Sequence, residues 1–203
     1  MTSQSAAAAS PAYTPAAMHA QPPDEELMLR FGAGDAAAFD TLYARHRGGV
    51  FRYLLRQCGN RAQAEELFQD IWMNLVQART RYRVQAKFAT YLYTLAHNRL
   101  MDHFRRQRAA GPVYDQQDDP LAEFPAPSTA EPERLVQSRQ QAERLLDLVR
   151  ELPPAQRETF LLSQEGELSL EQIAQATGCT RETAKSRLRY ALAKLREGMQ
   201  ELL

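Results

Sequence analysis

The feature that most restricts the fold is an acidic, proline-rich segment that interrupts an otherwise helical pattern. Residues 111–133 contain five prolines and six acidic residues, but no lysine or arginine. Proline has no amide proton to donate within a helix, and this composition offers little apolar surface to bury. We therefore predict an extended linker over residues 110–134, which divides the chain into two folding units.

On both sides of this linker, apolar residues recur at three- and four-residue steps, as on one face of an α-helix. No stretch alternates with the period of a β-strand, and no internal repeat is present. We predict an all-α protein with two small helical domains. An N-terminal bundle spans residues 24–109, a second domain spans residues 135–203, and residues 1–23 form a disordered tail rich in alanine, serine and proline.

Charge is balanced in total but not in position. The chain has 25 basic and 25 acidic residues. Residues 77–108 carry eight basic residues against Asp102 alone, and residues 180–196 carry six against Glu182 alone. Two basic stretches in a neutral protein can follow a polyphosphate backbone, while the remaining surface binds another partner.

Several functional classes are disfavoured. Cys58 and Cys179 lie far apart and form no paired motif, which favours a reducing compartment. No apolar run approaches the ~18 residues of a membrane span, and the start of the chain lacks the pattern of a secretion signal, so we expect a cytoplasmic protein. No histidine has metal-ligand spacing with these cysteines, and no catalytic arrangement stands out. We expect no metal, no cofactor and no enzymatic activity.

The most specific motif lies near the C-terminus. Ser169 and Gln172 have the spacing of a capping box, Gly178 suits a tight turn, and Thr180 can cap a long final helix with a basic first half. A short helix, a glycine turn and a basic second helix are typical of a helix-turn-helix, whose second helix enters the DNA major groove. The alternative, a solvated basic helix end, explains the charge but not the capping box and turn.

The same region carries a family resemblance. Leu152–Phe160, Leu168–Ala174 and Thr183–Leu188 resemble the promoter −35-binding domain of extracytoplasmic-function (ECF) sigma factors. In the first domain, Gly34–Asp35 with Ala38–Phe39 and Leu42–Tyr43 resembles the opening helix of the family. Ala64–Trp72 is similar to its polymerase-binding helix. A further set of residues resembles the family's helix that binds the −10 element. These residues are Phe88, Tyr91–Leu92, Ala96–Asn98, Asp102 and Arg105–Arg106.

Some positions depart from the family pattern. Tyr91 stands where tryptophan is usual, Gln172 where glutamate is usual, and Glu182 where glycine is common. Tyr190 and Leu192 replace frequent arginines. The departures at Glu182, Tyr190 and Leu192 bear on which promoter sequence is read, more than on whether a promoter is read.

The resemblance implies a sigma factor that binds core RNA polymerase through its β′ and β subunits, recognises the −35 and −10 elements of promoter DNA and promotes melting. It also implies an anti-sigma factor as a controlling partner. The expected polymerase-binding residues are Glu65, Glu66, Gln69, Asp70 and Trp72. Trp72 can instead belong to the core, and the acidic residues can be a solvated helix face.

Two sets of DNA-binding residues follow from the same resemblance. The −10 set is Arg83, Lys87, Tyr91, Asn98, Arg99, Asp102, Arg105 and Arg106, and the loop before the long helix would form a pocket for a flipped base. The −35 set is Arg181, Glu182, Thr183, Lys185, Ser186, Arg187 and Arg189. The aromatic residues of the long helix have helical spacing, which favours core packing over base stacking, and Arg105–Arg106 can be a solvated helix end.

Two further questions stay open in the sequence. The acidic linker is either a soluble tether or, as in related factors, a segment that enters the nucleic-acid channel of the polymerase. The rival interpretation of the whole chain is a stand-alone helix-turn-helix regulator, with a sensor or partner domain at its N-terminus, which would bind its operator alone and as a dimer.

Overall fold

The computed structural model describes residues 21–110 and 132–200, so most of the predicted tail and linker lie outside the described ranges. Within these ranges every regular element is helical, which confirms the all-α class. The α-helices are α1 (Asp24–Gly32), α2 (Ala36–Cys58), α3 (Arg61–Ala78), α4 (Phe88–Ala110), α5 (Pro132–Glu151), α6 (Pro154–Gln164), α7 (Leu170–Thr177) and α8 (Arg181–Gln200). A short 3-10 turn, Arg79–Arg81, follows α3.

Polar caps set the boundaries of the first helices. The Asp35 carboxylate accepts a hydrogen bond from the Ala38 amide at 3.3 Å and starts α2. Asn60 accepts from the Gln63 amide at 2.9 Å and starts α3. These side chains satisfy amides that have no partner within the helix, and Asp and Asn are among the residues that favour this position.

The N-terminal bundle buries one face of each helix α1–α4. Phe88 and Leu92 of α4 are fully buried and pack with α2 and α3. Each such side chain contributes about 1.5–3 kcal/mol when it leaves water. Other side chains of this bundle with no exposed surface include Met28, Leu42, Val50, Leu54, Ala64, Ile71, Leu75, Ala96 and Leu100.

The C-terminal domain contains the predicted helix-turn-helix. Ser169 Oγ accepts from the Gln172 amide at 3.3 Å, and the Gln172 side chain accepts from the Ser169 amide at 2.8 Å. Gly178 adopts φ 66°, a conformation that favours glycine, and turns the chain between α7 and α8. Thr180 Oγ1 accepts from the Thr183 amide at 3.1 Å at the start of α8.

Helix α8 buries a narrower face than its sequence predicts. Apolar residues recur at helical spacing along α8, which predicts an inner face that includes Ala184, Ala191, Leu192 and Leu195. Ala184, Ala191 and Leu195 are buried, but Leu192 is 39 % exposed, so its placement on that face is wrong. Position 192 follows Ala191 directly and points about 100° away from it, toward solvent.

The two domains contact each other. Helix α7 packs against α4, and α6 packs against α2. Tyr53 and Tyr93, both almost fully buried, lie edge to face with ring centroids 5.6 Å apart beneath this contact. No described helix is long and apolar enough to cross a bilayer.

Candidate functional surfaces

The acidic face of α3 is presented to solvent. Glu65, Glu66 and Gln69 are exposed, and Asp70 is half-buried. The Glu65 carboxylate accepts from Arg61 Nε at 2.9 Å, an exposed pair that costs little to break. These residues share one side of the helix because they lie one helical turn apart. The face is therefore free to meet a basic partner.

Asp70 connects this face to helix α4. Its carboxylate accepts a hydrogen bond from Arg99 Nε at 2.9 Å and forms an ion pair with the same guanidinium. The family resemblance implies polymerase binding for Asp70 and DNA binding for Arg99. The structure brings the two side chains together, so a substitution of either residue also removes an ion-pair partner of the other.

Trp72 lies in the core, beside the acidic face. Only 5 % of its surface is exposed, and its ring packs against Phe39 and Tyr43, with centroids 5.9 and 4.9 Å away. Its indole N–H has no hydrogen-bond partner among the described residues. This position favours a structural role, because a partner would reach the indole only by displacing its aromatic neighbours.

The −10 residues occupy one side of α4 and the loop before it. Arg83, Lys87, Asn98, Arg105 and Arg106 are exposed. Tyr91, Arg99 and Asp102 are half-buried. Asp102 accepts from Arg105 at 3.1 Å across one turn of the helix. The exposed cations form a basic strip along this side of the domain.

A cavity of about 470 Å³ lies between this loop and α4. Its lining includes Arg81, Arg83 and Tyr91. Two polar atoms at its wall, the Tyr82 hydroxyl and Thr90 Oγ1, are buried and have no hydrogen-bond partner in the described part of the chain. Burial raises the pKa of Tyr82 to about 12, so its phenol remains a donor at neutral pH. Unpaired buried polar groups are costly, and a polar ligand in the cavity would satisfy them.

The −35 residues lie on the first half of α8, away from its buried face. Arg181, Glu182, Lys185 and Arg189 are exposed. Arg181 pairs with Glu171 of α7 and, at 3.4 Å, with Glu182. The Arg189 guanidinium lies over the ring of Tyr190, 4.9 Å from its centroid. Thr183, Ser186 and Arg187 are half-buried.

Local hydrogen bonds and ion pairs shift the pKa values of Glu171 and Arg181 near the start of α8. The pKa of Glu171 lies below its ordinary value because backbone and Arg181 hydrogen bonds stabilise the carboxylate. The pKa of Arg181 is raised by the same carboxylate. These pairs are fully exposed, and exposed pairs are easily exchanged for other partners such as phosphates.

Sequence reasoning missed a polar cluster at the domain contact. Glu158 of α6 accepts from the Tyr53 hydroxyl at 2.9 Å, and its carboxylate lies 2.6 Å from His97 Nδ1. Glu165 accepts from Arg52 Nε at 2.6 Å through its side chain, and from the Tyr93 hydroxyl at 2.8 Å through its backbone oxygen. The sequence did contain one signal of this cluster: Thr90, Tyr93 and His97 recur at helical spacing and form a second stripe on α4.

Comparison with known proteins agrees with this arrangement. Residues 42–110 match the sigma-70 region 2 family, and residues 142–195 match the sigma-70 region 4 family. The RNA polymerase sigma factor CarQ of Myxococcus xanthus is 32 % identical over 175 residues, which covers 86 % of this chain and 97 % of CarQ. The ECF sigma factor RpoE of Cereibacter sphaeroides is 32 % identical over 168 residues, with 81 % of this chain and 88 % of that protein covered.

A solved structure supports the fold. The sigma factor RpoE of Bartonella quintana, crystallised with the anti-sigma factor NepR, superposes with a TM-score of 0.63 at 20 % identity. The superposition covers 80 % of this chain and 96 % of that one. Along the chain the match to region 2 precedes the match to region 4, which is the order of these regions in the family. The chain belongs to the extracytoplasmic-function sigma factors of the sigma-70 family and is a promoter-recognising sigma factor.

Proposed function

We propose a division of labour among three surfaces of this sigma factor. The acidic face of α3 binds core RNA polymerase, the strip on α4 with its adjoining cavity binds the −10 element, and the first half of α8 binds the −35 element. The proposal rests above all on one observation: two basic helical surfaces lie on separate domains of a single chain. We take residues 24–109 and 135–203 as these domains and residues 110–134 as their linker.

Polymerase binding is assigned to α3 by charge and exposure. Glu65, Glu66 and Gln69 form a solvated acidic patch, and the buried side of the same helix is rigidly packed. A rigid patch of one charge attracts and orients a basic partner surface. We propose the β′ subunit as that surface, with further contacts to β.

The −10 strip supplies what melting requires without ATP. Opening a base-pair step costs a few kcal/mol, and binding of the released single strand must offset that cost. Arg83, Lys87, Arg105 and Arg106 can hold phosphates. The cavity beside Tyr91 can take an extruded base, whose edge would satisfy the Tyr82 hydroxyl and Thr90 Oγ1.

The exposed half of α8 has the chemistry of major-groove recognition. Arginine and lysine can bind guanine O6 and N7 or phosphates, and Glu182 can accept from cytosine N4. Thr183 and Ser186 can donate to bases or to backbone. The buried face holds α8 against α6 and α7, so these side chains would meet DNA from a fixed helix.

Run-off transcription tests the proposal as a whole. Purified core polymerase is incubated with a promoter template, with and without this protein. We expect transcripts only with the protein. A stand-alone regulator would give none, and would instead bind its operator as a dimer without polymerase.

Charge reversal tests the polymerase surface. We expect Glu66→Lys with Asp70→Lys to abolish co-purification with core polymerase. Glu66→Lys alone is tested beside it, because Asp70 also pairs with Arg99. The control reverses Asp147 and Glu151 of α5, which are exposed at the same four-residue spacing. Unchanged co-purification of a folded Glu66→Lys, Asp70→Lys protein would refute the assignment.

Replacement of Asn98 tests strand recognition. Asn98 is exposed midway along α4, and Asn98→Ala removes a side chain that can pair with a base edge. We expect weaker open-complex formation with duplex binding by the C-terminal domain intact. A permanganate footprint of normal intensity would count against a role for Asn98.

The remaining expectations are also proposals. Binding to RNA polymerase places the protein in the cytoplasm. Its activity is binding and strand separation, without catalysis or a cofactor. The solved relative from Bartonella quintana is held by an anti-sigma factor, and we propose a partner of that class here.

A further inference from the structure

A second cavity of about 470 Å³ lies where α2, the last turns of α4 and the start of α6 meet. Its volume falls within the range of sites that bind small molecules, about 300–1,000 Å³. It shares no lining residue with the cavity beside Tyr91. The two cavities are therefore separate spaces, and this one has no part in the binding of an extruded base.

The side walls of this second cavity are apolar. Met101 and Phe104 of α4 line it on one side, and both are half-buried. Pro154 and Ala155 line it at the start of α6. A flat apolar group, such as an aromatic ring, would leave water on binding between these walls and would gain the hydrophobic free energy of that transfer.

Positive charge is concentrated at one end of the cavity. Arg105 and Arg108 follow Met101 on the same face of α4, because they lie four and seven residues after it. Arg105 pairs with Asp102 at 3.1 Å, whereas Arg108 has no ion-pair partner in the described part of the chain. Both guanidinium groups are exposed and can hold a carboxylate or another small anion.

The start of α6 adds to this preference for an anion. No side chain caps it, and its first turn has no acidic residue, so the partial positive charge of the helix end is not neutralised locally. Glu158 also lines the cavity, but its carboxylate already accepts from the Tyr53 hydroxyl and lies 2.6 Å from His97. His97 lies one turn before Met101, so Glu158 marks the end of the cavity away from Arg108.

The wall formed by α2 carries a buried polar group without a partner. Gln57 is only 6 % exposed, and its Nε2 has no hydrogen-bond partner within residues 21–110 and 132–200. Buried polar groups are normally paired, so this one is conspicuous. The terminal torsion of a glutamine is broad, and the amide can turn its donor into the cavity. A ligand with an acceptor atom would satisfy it.

We propose that this cavity binds a small organic anion with an aromatic ring, such as an aromatic carboxylate. The ring lies between Phe104 and Pro154, the charge lies at Arg105 and Arg108, and an acceptor atom pairs with the Gln57 amide. The proposal goes beyond the assignments to polymerase and promoter, and it adds a small-molecule site between helices of the two domains.

A charged probe and its neutral match test the class of ligand. 6-Hydroxy-2-naphthoate has a flat apolar body, a carboxylate and an acceptor at the opposite end, and 6-hydroxy-2-naphthamide lacks the charge. Isothermal titration calorimetry with the full-length protein measures affinity and stoichiometry. We expect one naphthoate per chain with a Kd below about 1 mM. The naphthamide should bind about tenfold more weakly, because it loses the ion pairs with both arginines.

Arg108→Gln tests the charged end, since Arg105 is also assigned to DNA. We expect the affinity for the naphthoate to fall about threefold to fivefold, as for an exposed ion pair. Arg139→Gln is the matched control, because it removes the same charge from an exposed position on α5 that does not line the cavity. This control should keep the wild-type affinity.

Gln57→Met tests the buried amide. Methionine has a similar length and no unpaired donor, so the variant without ligand should melt at or above the wild-type temperature. We expect it to bind the naphthoate about fivefold more weakly, because one hydrogen bond is lost. A lower melting temperature with unchanged binding would assign the amide to packing and overturn its role in this site.

Three results would show that the cavity is not an anion site. The wild-type protein could bind no naphthoate up to about 1 mM, the naphthamide could bind equally well, or Arg108→Gln and Arg139→Gln could weaken binding equally. Failure of the protein in run-off transcription would refute the proposed function separately, because the calorimetry requires neither polymerase nor DNA.

Discussion

The two helices assigned to DNA differ in how they are held. Helix α4 is packed on one side by α2 and α3 and on another by α7. Helix α8 buries one narrow face against α5, α6 and α7 and leaves most of its basic residues in solvent. One helix is therefore a central part of the protein's core, whereas the other presents an exposed basic surface. Two helices that both carry many basic residues are thus packed differently in the protein.

This difference shows that the basic charge of a helix does not determine how the helix is packed or which partners its charged side chains have. On α8 the charged side chains pair mainly with near neighbours, as Lys185 does with Glu182 at 3.9 Å. On α4 the half-buried Arg99 is tied to Asp70 of another helix, and His97 to Glu158 of another domain. Substitutions of Arg99 or His97 should thus affect folding and function together, whereas those of exposed residues in the first half of α8 should affect DNA binding alone.

The largest expected effect concerns the core side of α4. Phe88 has no exposed surface, and Phe88→Ala would leave a cavity in the N-terminal bundle. We expect the free energy of unfolding to fall by about 3–5 kcal/mol. Urea denaturation followed by circular dichroism measures this. A loss below about 1 kcal/mol would contradict the packing of α4 in the core of the N-terminal bundle.

The second effect concerns the side of α4 that faces the other domain. Glu158→Ala removes the acceptor for the Tyr53 hydroxyl and the partner of His97. We expect a loss of about 1–3 kcal/mol in unfolding free energy, because buried donors are left unsatisfied. Glu158→Gln keeps an acceptor of the same size and should lose less. Equal losses in the two variants would show that the hydrogen bonds are unimportant.

The third effect separates DNA binding from stability on α8. If Arg187 makes a bidentate guanine contact, Arg187→Ala should weaken binding to the matched −35 site by about 1–3 kcal/mol and relax specificity there. Its unfolding free energy should change by less than about 0.5 kcal/mol. Titrations on matched and mismatched sites, with core polymerase present, measure the first quantity. Equal weakening on every site would assign Arg187 to a phosphate instead.

The smallest effect is a control for the first. Tyr190 of α8 is 53 % exposed, and Tyr190→Ala is the same kind of truncation as Phe88→Ala. We expect its unfolding free energy to stay within about 0.5 kcal/mol of wild type. Parallel urea denaturation of the two variants compares the helices directly. A large loss at Tyr190 would show that α8 is more deeply packed than its exposure indicates.

Much of the fold could be predicted because it is encoded locally. Asp35, Asn60 and Ser169 start helices through side chains that reach their own backbone within three residues. Gly178 turns the chain by its own conformation. Such features depend on neighbours in sequence, so a single sequence contains them.

The domain contact could not be predicted in the same way. Glu158 and Glu165 meet α2 and α4 across more than sixty residues of chain, as the separation of 61 between His97 and Glu158 shows. Nothing in the local pattern distinguishes a glutamate buried against another domain from one in solvent. Trp72 and Leu192 illustrate a related limit: helical periodicity gives a face, but the width of the buried face depends on the neighbouring helices.

Gly49 has a consequence for protein engineering. It occupies the interior of a long helix, where replacement by alanine is a standard route to a higher melting temperature. A design that scores helix propensity alone would therefore favour alanine at this position. An added Cβ at Gly49 would lie 2.5 Å from the backbone oxygen of Glu165, so the gain in helix propensity would be offset by the lost contact with α6, and helix propensity is a poor guide to improvement here.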